Sequence, residues 1–349
     1  MKLIKTLKND LNSKNFVEEL DNSKNNTHIY VIMGPTASSK SKLASFLLSF
    51  LGGVNKAKII NFDAYQIYKE MDIGTAKPSK EELELVSSLD GTKSLLLYDY
   101  LYPNESNDIY FYQNISRELI RKYISNYNLI FVGGSGLYIK ASLFDYHLYK
   151  EDDNQINKEE KDYETKYKDL SNLELFNKLL VLDKEDAIRI GNNNRKRLLR
   201  SLYINEHYHL TKDELNDNGK DRLYFNNKSN DLIRFIYINP SKDILDQKIK
   251  ERVEEVMFKE NLLLNEVKSI LTKYGSSSNS FKAIGYKEFI DKNTGNLKED
   301  LTKVKEEIIH NTIKYAKRQR TFFNHQFNSV NVNEYISVED AINNIDEYI

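Results

Sequence analysis

The chain has 349 residues, 40% of them hydrophobic and 30% charged, with a formal net charge of −1. That balance suits one large or two ordinary folded domains and excludes a disordered polyelectrolyte. The absence of cysteine excludes disulfides, thiolate metal sites and cysteine nucleophiles, and the near-neutral total leaves any polyanion site to local clusters of Lys and Arg.

Residues 1–27 read as an N-terminal extension. Leu3, Ile4, Leu7 and Leu11 place one apolar stripe in an otherwise polar, Asn- and Lys-rich segment. It lacks the continuous apolar core and small-residue cleavage site of a secretory signal. Nowhere does the chain reach the ~18 apolar residues of a membrane span. A cytoplasmic monomer, with no membrane and no obligate protein partner, is the expectation.

His28 to Met33 is a short apolar run rich in β-branched residues, ending at Gly34-Pro35. It reads as a buried parallel strand. Leu43, Ala44, Leu47 and Leu48 then recur at helical spacing between Ser41 and Leu51. Further strands are expected at Lys58–Phe62, Leu129–Val132 and Leu232–Ile238, with helical stretches between them. Alternating strands and helices predict an α/β fold, a parallel sheet flanked by helices. In such sheets ligands gather at the carboxyl ends of the strands. The loops at Gly34, Asp63 and Gly133 all fall there.

Residues 146–195 break the alternation with dense mixed charge and helical patterning. They read as an inserted helical subdomain, leaving 28–145 and 196–349 as the core; a solvated helix pair within one domain is the alternative. His207 and His209 read as surface residues, because no further ligand spacing follows. The run Gly275–Ser280 reads as a flexible loop, and Ser337-Val338-Glu339-Asp340 as the cap of a last helix.

Gly34-Pro35-Thr36-Ala37-Ser38-Ser39-Lys40-Ser41 nearly matches G-x-x-x-x-G-K-[ST], the phosphate-binding loop. Backbone N–H groups and a helix N-terminus cradle phosphate oxygens in such a loop. Lys40 adds a positive charge, and Ser41 can ligate Mg²⁺. Ser39 stands where the motif has glycine. If that position needs positive φ, its Cβ costs about 1–2 kcal/mol; if not, the change is nearly neutral. Alone, the loop suits an ATP-binding kinase or another nucleotide-binding protein.

Four further segments accompany it. They are Ile60–Tyr68 (INFDAYQIY) with Asp72–Pro78 (DIGTAKP), Val132–Ile139 (VGGSGLYI), Lys282–Glu288 (KAIGYKE) and Tyr315–Phe323 (YAKRQRTFF). In this order and spacing, along residues 28 to 325, the chain resembles the tRNA dimethylallyltransferase family. The resemblance implies a phosphate-loop fold whose inserted helices grip the anticodon stem-loop. It implies transfer of a dimethylallyl group from dimethylallyl diphosphate to N6 of an adenosine beside the tRNA anticodon. Mg²⁺ is the implied cofactor.

It also implies roles. Gly34, Thr36, Ala37, Ser38, Ser39, Lys40 and Ser41 would hold the diphosphate, with Ser41 on the metal. Thr36 would hydrogen-bond the oxygen bridging diphosphate and prenyl carbon, and Arg252 would contact the diphosphate. Asp63 matches the family's general base; a carboxylate at a strand end, facing the loop, suits a proton leaving an exocyclic amine. In a nucleotide kinase the same Asp would hold Mg²⁺ or a sugar hydroxyl. Asp63, Ala64, Tyr65, Gln66 and Ser135 would meet the acceptor nucleotide, which must leave its stack to react. Lys196, Arg197 and Arg200, then Lys282, Gly285, Tyr286 and Lys287, then Lys317, Arg318 and Arg320 would contact RNA. On residue type alone, Arg252 and these clusters read equally as solvated faces.

The chain departs from the family pattern at Ser39, at Ala64-Tyr65, at Asn192-Asn193-Asn194 and at Asn324. A catalytically weakened tRNA-binding paralogue, an enzyme that prenylates free adenylate and a small-molecule kinase are the competing expectations.

Overall fold

The computed structural model describes residues 18–20, 26–78, 94–146, 148, 163–209, 211, 221–226, 231–276, 278–291 and 293–349. The stripe expected at Leu3–Leu11 and much of 146–162 lie outside them.

The strands expected at 28–33, 58–62, 129–132 and 232–238 all form. They are β1 (Ile29–Met33), β2 (Ala57–Asn61), β4 (Asn128–Gly133) and β5 (Ile233–Ile238). Two further strands join them, β3 (Leu95–Leu96) and β6 (Val332–Tyr335). The sheet order is β3-β2-β4-β1-β5-β6, and every pairing is parallel. All five residues of β1 and of β2 are buried. A strand covered on both faces carries a continuous apolar run in place of alternation, which is why these strands were legible. β3 is too short and β6 (VNEY) too polar to carry that signal.

The helices are α1 (Lys40–Phe50), α2 (Ile109–Tyr123), α3 (Gly136–Leu143), α4 (Asn172–Leu182), α5 (Lys184–Ile190), α6 (Arg195–Tyr203), α7 (Lys242–Glu251), α8 (Leu262–Tyr274), α9 (Leu301–Gln326) and α10 (Val338–Asn343). In α1 the four residues read as periodic, Leu43, Ala44, Leu47 and Leu48, are the buried ones, and they join Tyr30, Ile32, Ile130 and Val132 in one core cluster. Ser337 caps α10, its hydroxyl accepting the Asp340 N–H at 3.0 Å. No helix among the described residues is long and apolar enough to cross a membrane.

The chain divides into two compact units. One joins Glu18–Ser142 to Phe225–Ile349 and holds the sheet; the other contains Leu143–Tyr224. In the second, a capping box between Ser171 and Glu174 opens α4. Leu175 and Leu179 of α4 and Ala187 of α5 pack against Leu198, Leu199 and Leu202 of α6. The insertion therefore differs from the expected 146–195: it includes α6 and continues to Tyr224. The basic sequence Arg195–Arg200 hid an apolar face at 198, 199 and 202, which can be buried only against α4 and α5.

Candidate active site

The loop between β1 and α1 forms the floor of the site. Ala37 and Ser39 both adopt left-handed backbone, with φ of 63° and 62°. Position 39 thus does require the conformation that glycine adopts freely, and serine holds it at a cost of about 1–2 kcal/mol. Gly34 is needed for a different reason: a Cβ there would collide with the Ile238 carbonyl of β5 and the Ser38 hydroxyl. Ser38 is itself buried.

Lys40 folds back over the loop. Its Nζ donates to the Pro35 carbonyl at 2.6 Å and to Ser38 Oγ at 3.4 Å. Burial pushes its pKa down to about 8, against the attraction of Asp63, and the Arg252 charge depresses it further. Arg252 follows α7 in a segment of π-helical turns and donates from Nη1 to Thr36 Oγ1 at 3.2 Å. Burial lowers its affinity for its proton, and Asp63 restores part of it. One turn earlier on the same helix, Lys248 brings its Nζ to 3.5 Å from Ser39 Oγ. In the sequence Lys248 is marked only by its spacing of four from Arg252, which puts both on one helix face.

Asp63 lies just beyond β2, facing this loop. Its Oδ1 accepts the N–H groups of Tyr65 at 2.9 Å and Gln66 at 3.3 Å. Its own N–H is held by Asn61 Oδ1 at 2.9 Å. Among the described residues no hydrogen bond uses Asp63 Oδ2. Ser135 Oγ accepts the Ala64 N–H at 3.1 Å, joining the β2 loop to the β4 loop. The Gln66 amide donates to the Thr75 and Ala76 carbonyls at 3.1 and 3.0 Å, so it braces a neighbouring loop.

Two cavities meet here. The inner one, about 210 Å³, is lined by Ala37, Ser39, Lys40, Ser41, Gln66 and Gln319, among others. The outer one, about 180 Å³, is lined by Tyr65, Met257, Ile284, Ile308, Tyr315 and Arg318, among others. Thr36, Asp63, Thr75 and Arg252 line both. The polar end therefore sits on the β1–α1 loop and the more apolar end beyond it, with Asp63 at the junction. Tyr315 was not singled out from the sequence. Burial raises its pKa, Asp63 raises it further, and a hydrogen bond to Ser135 opposes them.

The expected RNA-facing residues divide. Lys282 and Lys287 line the outer cavity and are exposed, and Arg318 stands exposed with its guanidinium 5.8 Å from the Tyr315 ring. Lys317 is exposed beside it. Arg320 is half-buried next to Tyr237, whose phenol burial pushes up to about 12 while Arg320 draws it down. On the inserted unit Lys196 and Arg197 are exposed; Arg200 is half-buried over the Tyr203 ring at 5.4 Å.

Tyr286 is a correction. It was expected at the RNA, yet it is fully buried, its hydroxyl donating to Glu266 Oε1 at 2.5 Å. Its ring lies so close to Gly74 that a Cβ there would strike it. Gly285, also buried, has φ of 97° and backs onto Gly74 in the same way. The pair is structural because an aromatic ring and a bare backbone pack where two loops cross.

A parallel sheet flanked by helices, with cations on the β1–α1 loop and a carboxylate across the cavity, defines an α/β protein with a polar site at the carboxyl ends of its strands. Comparison with known proteins narrows the class. The profile of the IPP transferase family matches residues 66–326. A tRNA dimethylallyltransferase of Staphylococcus haemolyticus is 34% identical over 304 residues, 86% of this chain and 84% of that one. One from Malacoplasma penetrans is 34% identical over 322 residues, 89% of this chain and 95% of that one. The crystal structure of a tRNA isopentenylpyrophosphate transferase from Staphylococcus epidermidis covers 92% of this chain and 98% of its own, with 29% identity and a TM-score of 0.57. The chain belongs to the IPP transferase family, a family of tRNA dimethylallyltransferases.

Proposed function

We propose that this protein transfers the dimethylallyl group of dimethylallyl diphosphate to N6 of an adenosine beside the anticodon of tRNA. The observation that carries this reading is the sharing of Asp63, Thr36 and Arg252 by both cavities. Diphosphate on the loop and a purine in the outer cavity would meet at that junction.

The chemistry follows from the geometry. The C1–O bond of the donor breaks as the N6–C1 bond forms, and one N6 proton must leave. Asp63 Oδ1 is fixed by two N–H groups, which leaves Oδ2 to accept that proton. Diphosphate departs with the bonding electron pair. Arg252 donates to Thr36 Oγ1, so the hydroxyl hydrogen of Thr36 remains for the bridging oxygen where charge develops. Lys40, Arg252 and Lys248 offset the charge of the leaving group.

Among the described residues no group of three or more His, Asp or Glu forms a metal cage. A hydroxyl oxygen on the loop after β1 is the kind of donor that suits Mg²⁺, which is commonly held by few protein ligands and by substrate phosphates. Ser41, exposed and lining the inner cavity, would hold it, and bound Mg²⁺ would supply charge neutralisation of the diphosphate. Arg318, Lys317, Lys282 and Lys287 on one unit, and Lys196 and Arg197 on the other, would contact the RNA backbone. The protein acts in this reading as a cytoplasmic monomer.

The test is transfer of label from dimethylallyl diphosphate to unmodified tRNA with Mg²⁺, with adenosine monophosphate as a rival acceptor and ATP hydrolysis followed in parallel. Label in tRNA alone supports the reading. Label in the mononucleotide, or ATP turnover without label, overturns it. Bound tRNA that gains no label identifies a paralogue without catalysis.

A further inference from the structure

Gln319 points inward from α9 and is 5% exposed. Its Oε1 accepts the Thr36 N–H at 2.8 Å, and its Nε2 donates to the Gly134 carbonyl at 2.8 Å. One planar amide thus ties together the loop after β1 and the loop after β4. The fit is tight: a Cβ on Gly134 would strike the Gln319 amide nitrogen. The same helix carries Tyr315 and Arg318 on the wall of the outer cavity, whereas Gln319 lines the inner one.

Two consequences follow. The Thr36 N–H is committed to Gln319, so its part is to fix Thr36 and not to hold phosphate. And the placement of Thr36 and Gly134 against α9 is set by two hydrogen bonds, one to each loop, from a group with a fixed angle between donor and acceptor.

We propose that Gln319 is a positioning residue that locks the phosphate loop to α9, so that diphosphate on the loop and RNA on the helix share one register. The RNA half of this role rests on the transferase reading above; the phosphate-loop half does not.

The experiment uses Gln319→Ala, Gly134→Ala and the double variant in the full chain, each checked for folding by thermal unfolding. Pyrophosphate affinity is measured by calorimetry with and without tRNA, and label transfer and tRNA affinity are measured beside it. Loss of both hydrogen bonds predicts pyrophosphate affinity and kcat about tenfold lower in either single variant, a difference of about 1.4 kcal/mol. Affinity for tRNA alone stays unchanged. The double variant should be no worse than Gln319→Ala, because the added Cβ then has no amide to displace. Any effect of tRNA on pyrophosphate affinity should vanish in Gln319→Ala.

Additive losses, an undiminished tRNA effect, or wild-type pyrophosphate affinity in Gln319→Ala would overturn the assignment. Should Gln319→Ala not fold, Gln319→Met, which keeps the side-chain length, takes its place under the same criteria. A wild-type protein that binds pyrophosphate but transfers no label would sink the transferase reading, while the pyrophosphate comparison would still decide the role of Gln319.

Discussion

Glu266 and Tyr286 form a closed pair: the Tyr286 hydroxyl donates to Glu266 Oε1 at 2.5 Å, and the same carboxylate accepts the backbone N–H groups of Asp72, Ile73 and Gly74 at 2.8, 2.8 and 3.1 Å. A side chain of α8 thereby shapes the loop whose Thr75 lines both cavities. Tyr286→Phe keeps the ring on Gly74 and removes one hydrogen bond to a charged acceptor. A loss of about 1.5–3 kcal/mol in urea unfolding is expected, with tRNA affinity unchanged. Weaker tRNA binding at unchanged stability would return Tyr286 to the RNA interface.

Ser39→Gly relieves the left-handed backbone at φ 62°. Stability should rise by up to about 1 kcal/mol, less whatever flexibility glycine adds to the unfolded chain. Chemical denaturation reads this directly. A midpoint that falls would show that the serine side chain, near Lys248, contributes more than the strain costs.

Lys40 gives the site a pH dependence. Its folded pKa lies at about 8, below the usual 10.5 for a lysine. Between those values the unfolded chain holds a proton that the folded one lacks, so this residue makes stability rise with pH across the window. Ligand binding runs the other way. Below pH 8 Lys40 is already cationic; above it, diphosphate must recruit a proton, and affinity should fall. Pyrophosphate titrations from pH 7 to about 10, with proton uptake measured in two buffers, test this. Lys40→Arg should flatten the profile, since guanidinium keeps its charge.

Asp63→Asn keeps the acceptor for the Tyr65 and Gln66 N–H groups but cannot take a proton. Removing a general base costs roughly 10²–10⁴ in rate. Single-turnover transfer should fall by that order while tRNA and pyrophosphate still bind. Unaltered turnover would dismiss Asp63 as the base.

Arg197→Ala removes an exposed cation from the first turn of α6. Affinity for tRNA should drop, and the slope of log affinity against log salt should shrink by nearly one contact. Filter binding at several salt concentrations measures both. An unchanged slope would mean that Arg197 faces only solvent.

The sequence alone determined the sheet strands that are buried on both faces and the loops at their ends. Val31, Ile60 and Phe131 need no tertiary knowledge to be read as strand, because a residue covered from both sides must be apolar. The loop after β1 and Asp63 were legible because a near-complete loop motif and a carboxylate both fall at strand ends; Arg252 was legible only through the family resemblance, since its residue type alone also reads as a solvated face. Tertiary structure decided the rest. It showed that position 39 needs positive φ, which sequence left open, since φ is set by the path from strand to helix and not by the residue there. It moved α6 into the inserted unit, because burial of Leu198, Leu199 and Leu202 depends on partners in α4 and α5. It buried Tyr286, and it brought Gln319 to Thr36 across 283 residues of chain. A tyrosine or glutamine carries no mark of its partner: hydrogen bonds between distant segments depend on how the helices pack, and that is fixed only when the whole core closes.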